Sequence, residues 1–294
     1  MAERKLPIGV QNFEDLRQNE YLYVDKTKYI EQLLRGKVYF LSRPRRFGKS
    51  LFLSTLAAYF RGQRELFKGL YLEKAEEELA KQEGREAWQQ YPILYLDFNA
   101  SNYKETNSLA INLNNHLTAW EKLYGTELSE QDYSTRFMGV IRRAHAKTGQ
   151  QVVILIDEYD KALLDTLDDE QLNTQYRDVL GAFFSVIKTC DEHLRFSFLT
   201  GVTKFSKVSV FSGLNNLNDI SMDTAYAGIC GIKEEELVSY FVPEIAELSA
   251  ALQLTHEETI AQLKQRYDGY QFCRYGEHVY NPFSLLNVLK KHEF

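Results

Sequence analysis

Two short blocks carry the residues best suited to chemistry. The first is Arg43-Pro44-Arg45-Arg46-Phe47-Gly48-Lys49-Ser50, followed by Leu51. Its second half fits the pattern Gly-x-x-x-x-Gly-Lys-[Ser/Thr]. In that pattern backbone N–H groups wrap phosphates, the lysine reaches the β and γ oxygens, and the hydroxyl ligates Mg²⁺. Arg43 stands where the first glycine belongs, and Pro44 stiffens the turn. Gly48-Lys49-Ser50 alone would also suit a basic, solvated turn that opens a helix. The second block, Val152-Val153-Ile154-Leu155-Ile156-Asp157-Glu158, is an apolar strand ending in acids. There an aspartate holds Mg²⁺ directly or through water, and an adjacent glutamate can serve as general base for an attacking water. Both blocks in one chain, in this order, imply binding of ATP with Mg²⁺. Arg43 to Leu51 would contact the nucleotide, Ser50 and Asp157 would hold the metal, and Lys49 and Glu158 would take part in catalysis.

Other polar residues extend this set. Thr200, in Thr200-Gly201-Val202-Thr203-Lys204, ends an apolar run and is the third catalytic candidate, sensing the γ-phosphate or holding the water; Thr203 is second choice. A plain strand-to-loop transition would read the same way. Arg45 and Arg46 either neutralise phosphate or pair with a structural carboxylate. Ser212 to Asp219 is turn-like, a contact loop or simply surface. Asp25-Lys26-Thr27 reads as a cap for a helix running to Leu34. Nuclease chemistry would need clustered carboxylates at a free strand end. Asp97 lacks an acidic neighbour, and Glu76 to Glu78 reads as the solvated face of a helix, so nucleic-acid cleavage by this chain is not expected.

The elements that must position these groups are legible as alternating runs. Lys37 to Leu41, Pro92 to Phe98, Gln151 to Ile156 and Leu194 to Thr200 predict four buried strands. Helices are predicted over Ser50 to Phe60, Leu66 to Gln90, Ser108 to Leu123, Ser129 to Lys147 and Gln171 to Lys188. Strands separated by helices imply a doubly wound parallel sheet, whose ligands bind at the carboxyl ends of the strands. After Ser221 the pattern turns helical, with Lys233 to Leu248 and His256 to Tyr267 clearest. The expected division is an ATPase core over 1–225 and a mostly helical lid over 226–294.

Composition narrows the classes. With 294 residues, 44 % hydrophobic and 26 % charged, the chain suits a sizeable globular core. A net charge of -6 argues against a uniformly basic nucleic-acid binder. Three dispersed cysteines suggest reduced thiols and a cytoplasmic location. Met1 to Leu6 has no signal core, and no apolar run approaches the ~20 residues that span a bilayer. No Asn-Lys-x-Asp base-reading element suggests a GTPase.

With these residues in place the chain resembles the AAA-ATPase-like domain family, known mainly from bacteria and often fused to a C-terminal PD-(D/E)xK nuclease. The resemblance rests on Gly9 to Leu16 with Tyr23 to Thr27, Phe40 to Leu53, Ile156 to Lys161 (IDEYDK), and Leu199 to Thr203. Phe211 to Leu217, Tyr267-Asp268-Gly269-Tyr270 and Tyr280-Asn281-Pro282-Phe283 complete it. It implies a P-loop three-layer α/β sandwich of the additional-strand ATPase type with a small C-terminal helical lid. It also implies that Lys49, Ser50, Asp157 and Glu158 form the phosphate and Mg²⁺ site, that Arg43 belongs to the family's own loop pattern, and that Tyr267 to Phe283 lies near the nucleotide. The family's nuclease domain would begin where this chain stops, at Phe294, so the chain is a fragment or a short member. The expected activity is ATP hydrolysis that switches an attached effector or an unidentified protein or nucleic-acid partner, with an oligomer as one arrangement that would suit it. The alternative is a nucleotide-dependent binding module with little turnover; a scaffold with a vestigial site is a third reading.

Overall fold

The computed structural model describes residues 4–99, 101–203, 210–211 and 213–294. Lys204 and Ser212, each at the edge of a predicted loop, fall outside them. The chain forms α1 (Phe13–Gln18), α2 (Lys28–Leu33), β1 (Val38–Ser42), α3 (Lys49–Phe60), α4 (Tyr71–Glu83), β2 (Ile93–Asp97), α5 (Ser108–Tyr124) and α6 (Tyr133–Thr148). It continues through β3 (Val152–Asp157), α7 (Lys161–Asp165), α8 (Glu170–Thr189), β4 (Leu194–Gly201) and β5 (Asn218–Asp219). The last four helices are α9 (Glu234–Tyr240), α10 (Val242–Leu252), α11 (His256–Tyr267) and α12 (Pro282–Lys291).

The five strands form one all-parallel sheet in the order β2-β3-β4-β1-β5. β4 therefore lies between β1, which leads into the Gly48 loop, and β3, which ends in Asp157. This is the additional-strand arrangement of the P-loop fold. The period of two along each strand divides the side chains between two cores. Val38, Phe40, Leu94, Ile154 and Ile156 face α5, α6 and α8. Tyr39, Leu41, Val153, Leu155, Phe196 and Phe198 face α1 to α4. Helices on both faces make the three layers, and burial on both faces explains why β3 reads as an unbroken apolar run. Register fixes the functional edge: Ser42 lies beside Gly201, and Asp97 beside Asp157. The carboxyl ends of β1, β4, β3 and β2 thus converge.

A third apolar cluster joins α9 to α12 through Leu237, Phe241, Ile245, Leu263, Leu285 and Leu289. Leu6, Ile8, Leu22 and Val24 from the chain's start pack on the same cluster.

Three expectations need correction. The stretch from Leu66 to Gln90 is not one helix: a 3₁₀ turn over Arg64–Phe67 precedes α4, which ends at Gly84 in the left-handed region. Lys233 to Leu248 is likewise two helices, because Pro243 occupies the first turn of α10 and cannot continue α9's hydrogen bonding. Glu76 does not belong to a solvated face. It is fully buried, accepts hydrogen bonds from Tyr59 Oη at 2.7 Å and Trp88 N at 3.0 Å, and pairs with Arg85 at 2.6 Å. Those partners neutralise and solvate a carboxylate that could not otherwise sit in a core.

Candidate functional site

The β1–α3 junction is shaped by its backbone. Gly48 caps α3 with φ +91°, a left-handed conformation that glycine adopts without penalty, and no side chain caps the helix. Among the described residues, none of the amides from Arg45 to Ser50 donates to a protein acceptor. A helix N-terminus with uncommitted N–H groups is suited to an anion. Arg46 holds φ +66°, a strained value for a residue with a Cβ. Lys49 is buried, and its Nζ donates to the carbonyls of Arg43 at 3.0 Å and Pro44 at 3.2 Å. The lysine is thereby folded back along the loop that it would share with phosphate.

The basic residues of the loop separate. The Arg43 side chain is 1 % exposed and points away from the loop's mouth. Its guanidinium donates to the carbonyls of Ser221 at 2.7 Å and Tyr226 at 3.2 Å, and stacks 4.1 Å over the Phe272 ring. Arg43 thus braces the loop from beneath while its carbonyl receives Lys49. Arg45 and Arg46 are exposed on the cavity rim. Arg45 lies close enough to Glu158 to act on its charge, and Arg46 stacks 4.1 Å over Phe283. Phe47 is buried edge-on against Tyr270 and Phe272, and its carbonyl accepts from Gly231 N at 3.1 Å.

At the end of β3, Asp157 is 2 % exposed and accepts a hydrogen bond from the Thr200 hydroxyl at 2.6 Å, with the Ser50 hydroxyl near enough to favour its charged form. Burial pushes its carboxyl above the ordinary aspartate range, against the pull of those two hydroxyls. Glu158 follows with φ +51°, again strained, and its amide donates to Thr200 Oγ1 at 3.3 Å. Partial burial raises the Glu158 carboxyl, while Lys49 opposes the shift. Ser50, Asp157 and Thr200 therefore meet across three elements. Thr200 is fully buried behind Asp157, so it orients the acid. Thr203 lies further out: its amide and hydroxyl, with Val202 N, bond Asp160 Oδ2 at 2.7 to 2.9 Å.

Of these groups, Arg45 to Ser50 and Glu158 border a cavity of about 520 Å³, while Asp157 and Thr200 stand behind its wall and are not part of the lining. Gly48, Lys49, Ser50 and Glu158 stand at one end, joined by three residues that sequence reasoning did not single out: Asn99, Lys161 and Asp165. Asn99 follows β2, two residues beyond the strand that pairs with β3, and Lys161 and Asp165 form an ion pair on α7. The position of Lys161, four residues past Asp157, was the one available signal. The rest of the wall comes from the two extremes of the chain: Val10, Leu22, Val24 and Lys26, then Ile232, Phe241, Pro282, Phe283 and Leu286. Proximity of these segments depends on tertiary packing and has no local signature. Ser50 and Asp157 supply hydroxyl and carboxylate oxygen, the hard donors that Mg²⁺ prefers, and the uncommitted amides beside them suit its phosphate partners.

Comparison with known proteins agrees with this architecture. Residues 7–211 match the model of a family described as AAA-ATPase-like, predicted AAA-ATPase. The full chain also aligns with an uncharacterized protein in the vnfD 5′ region of Azotobacter chroococcum mcd 1, at 42 % identity over 297 residues. That alignment covers 100 % of this chain and 53 % of the relative, so the chain spans about half the relative's length. No described helix is long and apolar enough to cross a membrane. The chain belongs to the predicted AAA-ATPase family.

Proposed function

We propose that this member of the family binds ATP with Mg²⁺ in the 520 Å³ cavity, hydrolyses it, and uses the cycle to switch an attached effector or a partner. The observation that carries the reading is the meeting of Ser50, Asp157 and Thr200 beside the uncommitted amides of the Gly48 loop. In this reading the triphosphate lies along residues 45 to 50, with Lys49 leaving the Arg43 and Pro44 carbonyls for phosphate oxygens. Ser50 and Asp157 would hold Mg²⁺, whose charge offsets that of the β and γ phosphates. Glu158 accepts a proton from the attacking water, and Thr200 keeps Asp157 aimed at the metal. The base occupies the apolar end, between the chain's first residues and the helices after residue 226. The division into a core of 1–225 and a lid of 226–294 is part of this proposal.

Steady-state phosphate release, with ATP binding measured in parallel, tests it. Wild type should bind and hydrolyse ATP in Mg²⁺, and Lys49→Ala should lose binding, because the buried ammonium has no substitute at that depth. Equal ATP affinity in the two proteins would refute the site. Binding without phosphate release would leave a nucleotide-dependent binding module instead.

A further inference from the structure

One charged group in the cavity wall belongs neither to the Gly48 loop nor to the end of β3. Lys26 is 8 % exposed and borders the cavity from the segment before α2. Its Nζ donates to both carboxylate oxygens of Glu236, at 2.6 and 2.5 Å. Glu236 is also buried, 7 % exposed, and its Oε2 accepts from Lys233 N at 2.8 Å, which fixes it in the first turn of α9. The carboxylate is thus held by the helix, and it holds the ammonium. An ammonium has three donors. Two go to Glu236, and among the described residues the third has no protein acceptor.

The surroundings define the ligand. Val24, two residues before Lys26, packs with the cluster of Ile232, Phe241 and Leu286, which is the apolar end of the cavity. An apolar wall with one buried donor held in place suits an aromatic heterocycle with a ring-nitrogen acceptor. Burial pulls the Lys26 ammonium below its ordinary range, and Glu236 opposes this. We infer that Lys26, aimed by Glu236, is a base-contacting residue that donates to a ring-nitrogen acceptor of the nucleobase. This rests on the nucleotide reading above. Lys26 sets affinity for the base, and Glu236 is its positioning residue.

The test separates base from phosphate. Calorimetry would compare MgATP with magnesium tripolyphosphate, which keeps the phosphate chain and lacks the base. Three proteins are used: wild type, Lys26→Met, and the double variant Lys26→Met/Glu236→Leu. Removing both members of a buried ion pair is far milder for the fold than stranding one. The expected result is a loss of about 10-fold to 10²-fold in ATP affinity in both variants, the scale of one charge-assisted hydrogen bond, with tripolyphosphate affinity unchanged. ATP affinity restored in the double variant would overturn the inference, since Lys26 would then serve only to neutralise Glu236. An equal loss for tripolyphosphate would overturn it too, placing Lys26 at the phosphates or in the fold. Wild type that binds neither ligand would refute the nucleotide site itself, and this inference with it.

Discussion

At the Gly48 to Glu158 end of the cavity, most polar groups stand in two short sequence blocks at the ends of β1 and β3, the strands on either side of β4. At the other end, the wall is made where the chain's first residues meet its last helices, and the buried ion pair of Lys26 with Glu236 joins residues 210 positions apart. The two ends also differ in what they present. The first offers backbone amides, hydroxyls and acids held in strained or buried conformations, and the second offers side chains, nearly all apolar. Groups that act on a reacting phosphate need fixed direction, which strand ends and a helix N-terminus provide. Groups that hold a base need area and shape, which distant segments can supply together. Phe283 and Arg46 connect the ends, one from α12 and one from the loop.

The sharpest way to break this comparison is to disable the reacting end and leave binding intact. Glu158→Gln removes the base with little change in shape. Turnover should fall by about 10²- to 10⁴-fold while ATP affinity stays near wild type. Unchanged turnover would mean that another group takes the proton, and the acid end of β3 would lose its distinction from any polar strand end.

Arg45→Ala comes next. Arg45 is near Glu158, and a phosphate-facing guanidinium contributes about 1.5–3 kcal/mol through a charge-assisted hydrogen bond. ATP affinity should weaken by that amount, with the melting temperature unmoved because the side chain is exposed. A matching loss in melting temperature would reveal a structural role instead. Thr200→Val probes the same end more gently. It deletes the 2.6 Å hydrogen bond to Asp157, and groups that orient a metal-holding carboxylate typically affect metal affinity by about 10- to 100-fold. The Mg²⁺ concentration giving half-maximal turnover should rise accordingly. A purely structural Thr200 would lower stability without moving that concentration.

What could be read beforehand follows the same split. β1, β3 and β4 are legible because strands covered on both faces are largely apolar, although Arg195 and Ser197 interrupt β4, and the Gly48 and Asp157 blocks are legible because their chemistry is local. β5 is not: Asn218 and Asp219 are polar, make a strand of two residues, and among the described residues pair with β1 alone. Arg43 was expected among the phosphate ligands, but its side chain is engaged by Ser221 and Tyr226, well over a hundred residues away. Glu76 misled for the same reason, since Tyr59 and Trp88 approach it from other elements. Pro243, by contrast, is a local sign that the reading of Lys233 to Leu248 as one helix passed over. Residues whose partners are near in sequence were legible, and residues whose partners arrive by folding were not.

The smallest expected effect lies where the two ends touch. Arg46 and Arg45 are neighbours, both exposed and both on the rim, yet they face different parts of the molecule. The Arg46 guanidinium rests 4.1 Å over Phe283 at the start of α12. A cation–π contact at an exposed site is worth about 0.5–1 kcal/mol, so Phe283→Leu, which keeps the apolar wall, should weaken ATP binding by no more than about fivefold. The informative measurement is the double-mutant cycle. Arg46→Ala and Phe283→Leu should together cost less than the sum of the two, because they remove one shared contact. Arg45→Ala and Phe283→Leu should add, since nothing joins them. If instead Arg45 couples to Phe283 and Arg46 does not, the assignment of one arginine to phosphate and the other to the helical wall is reversed.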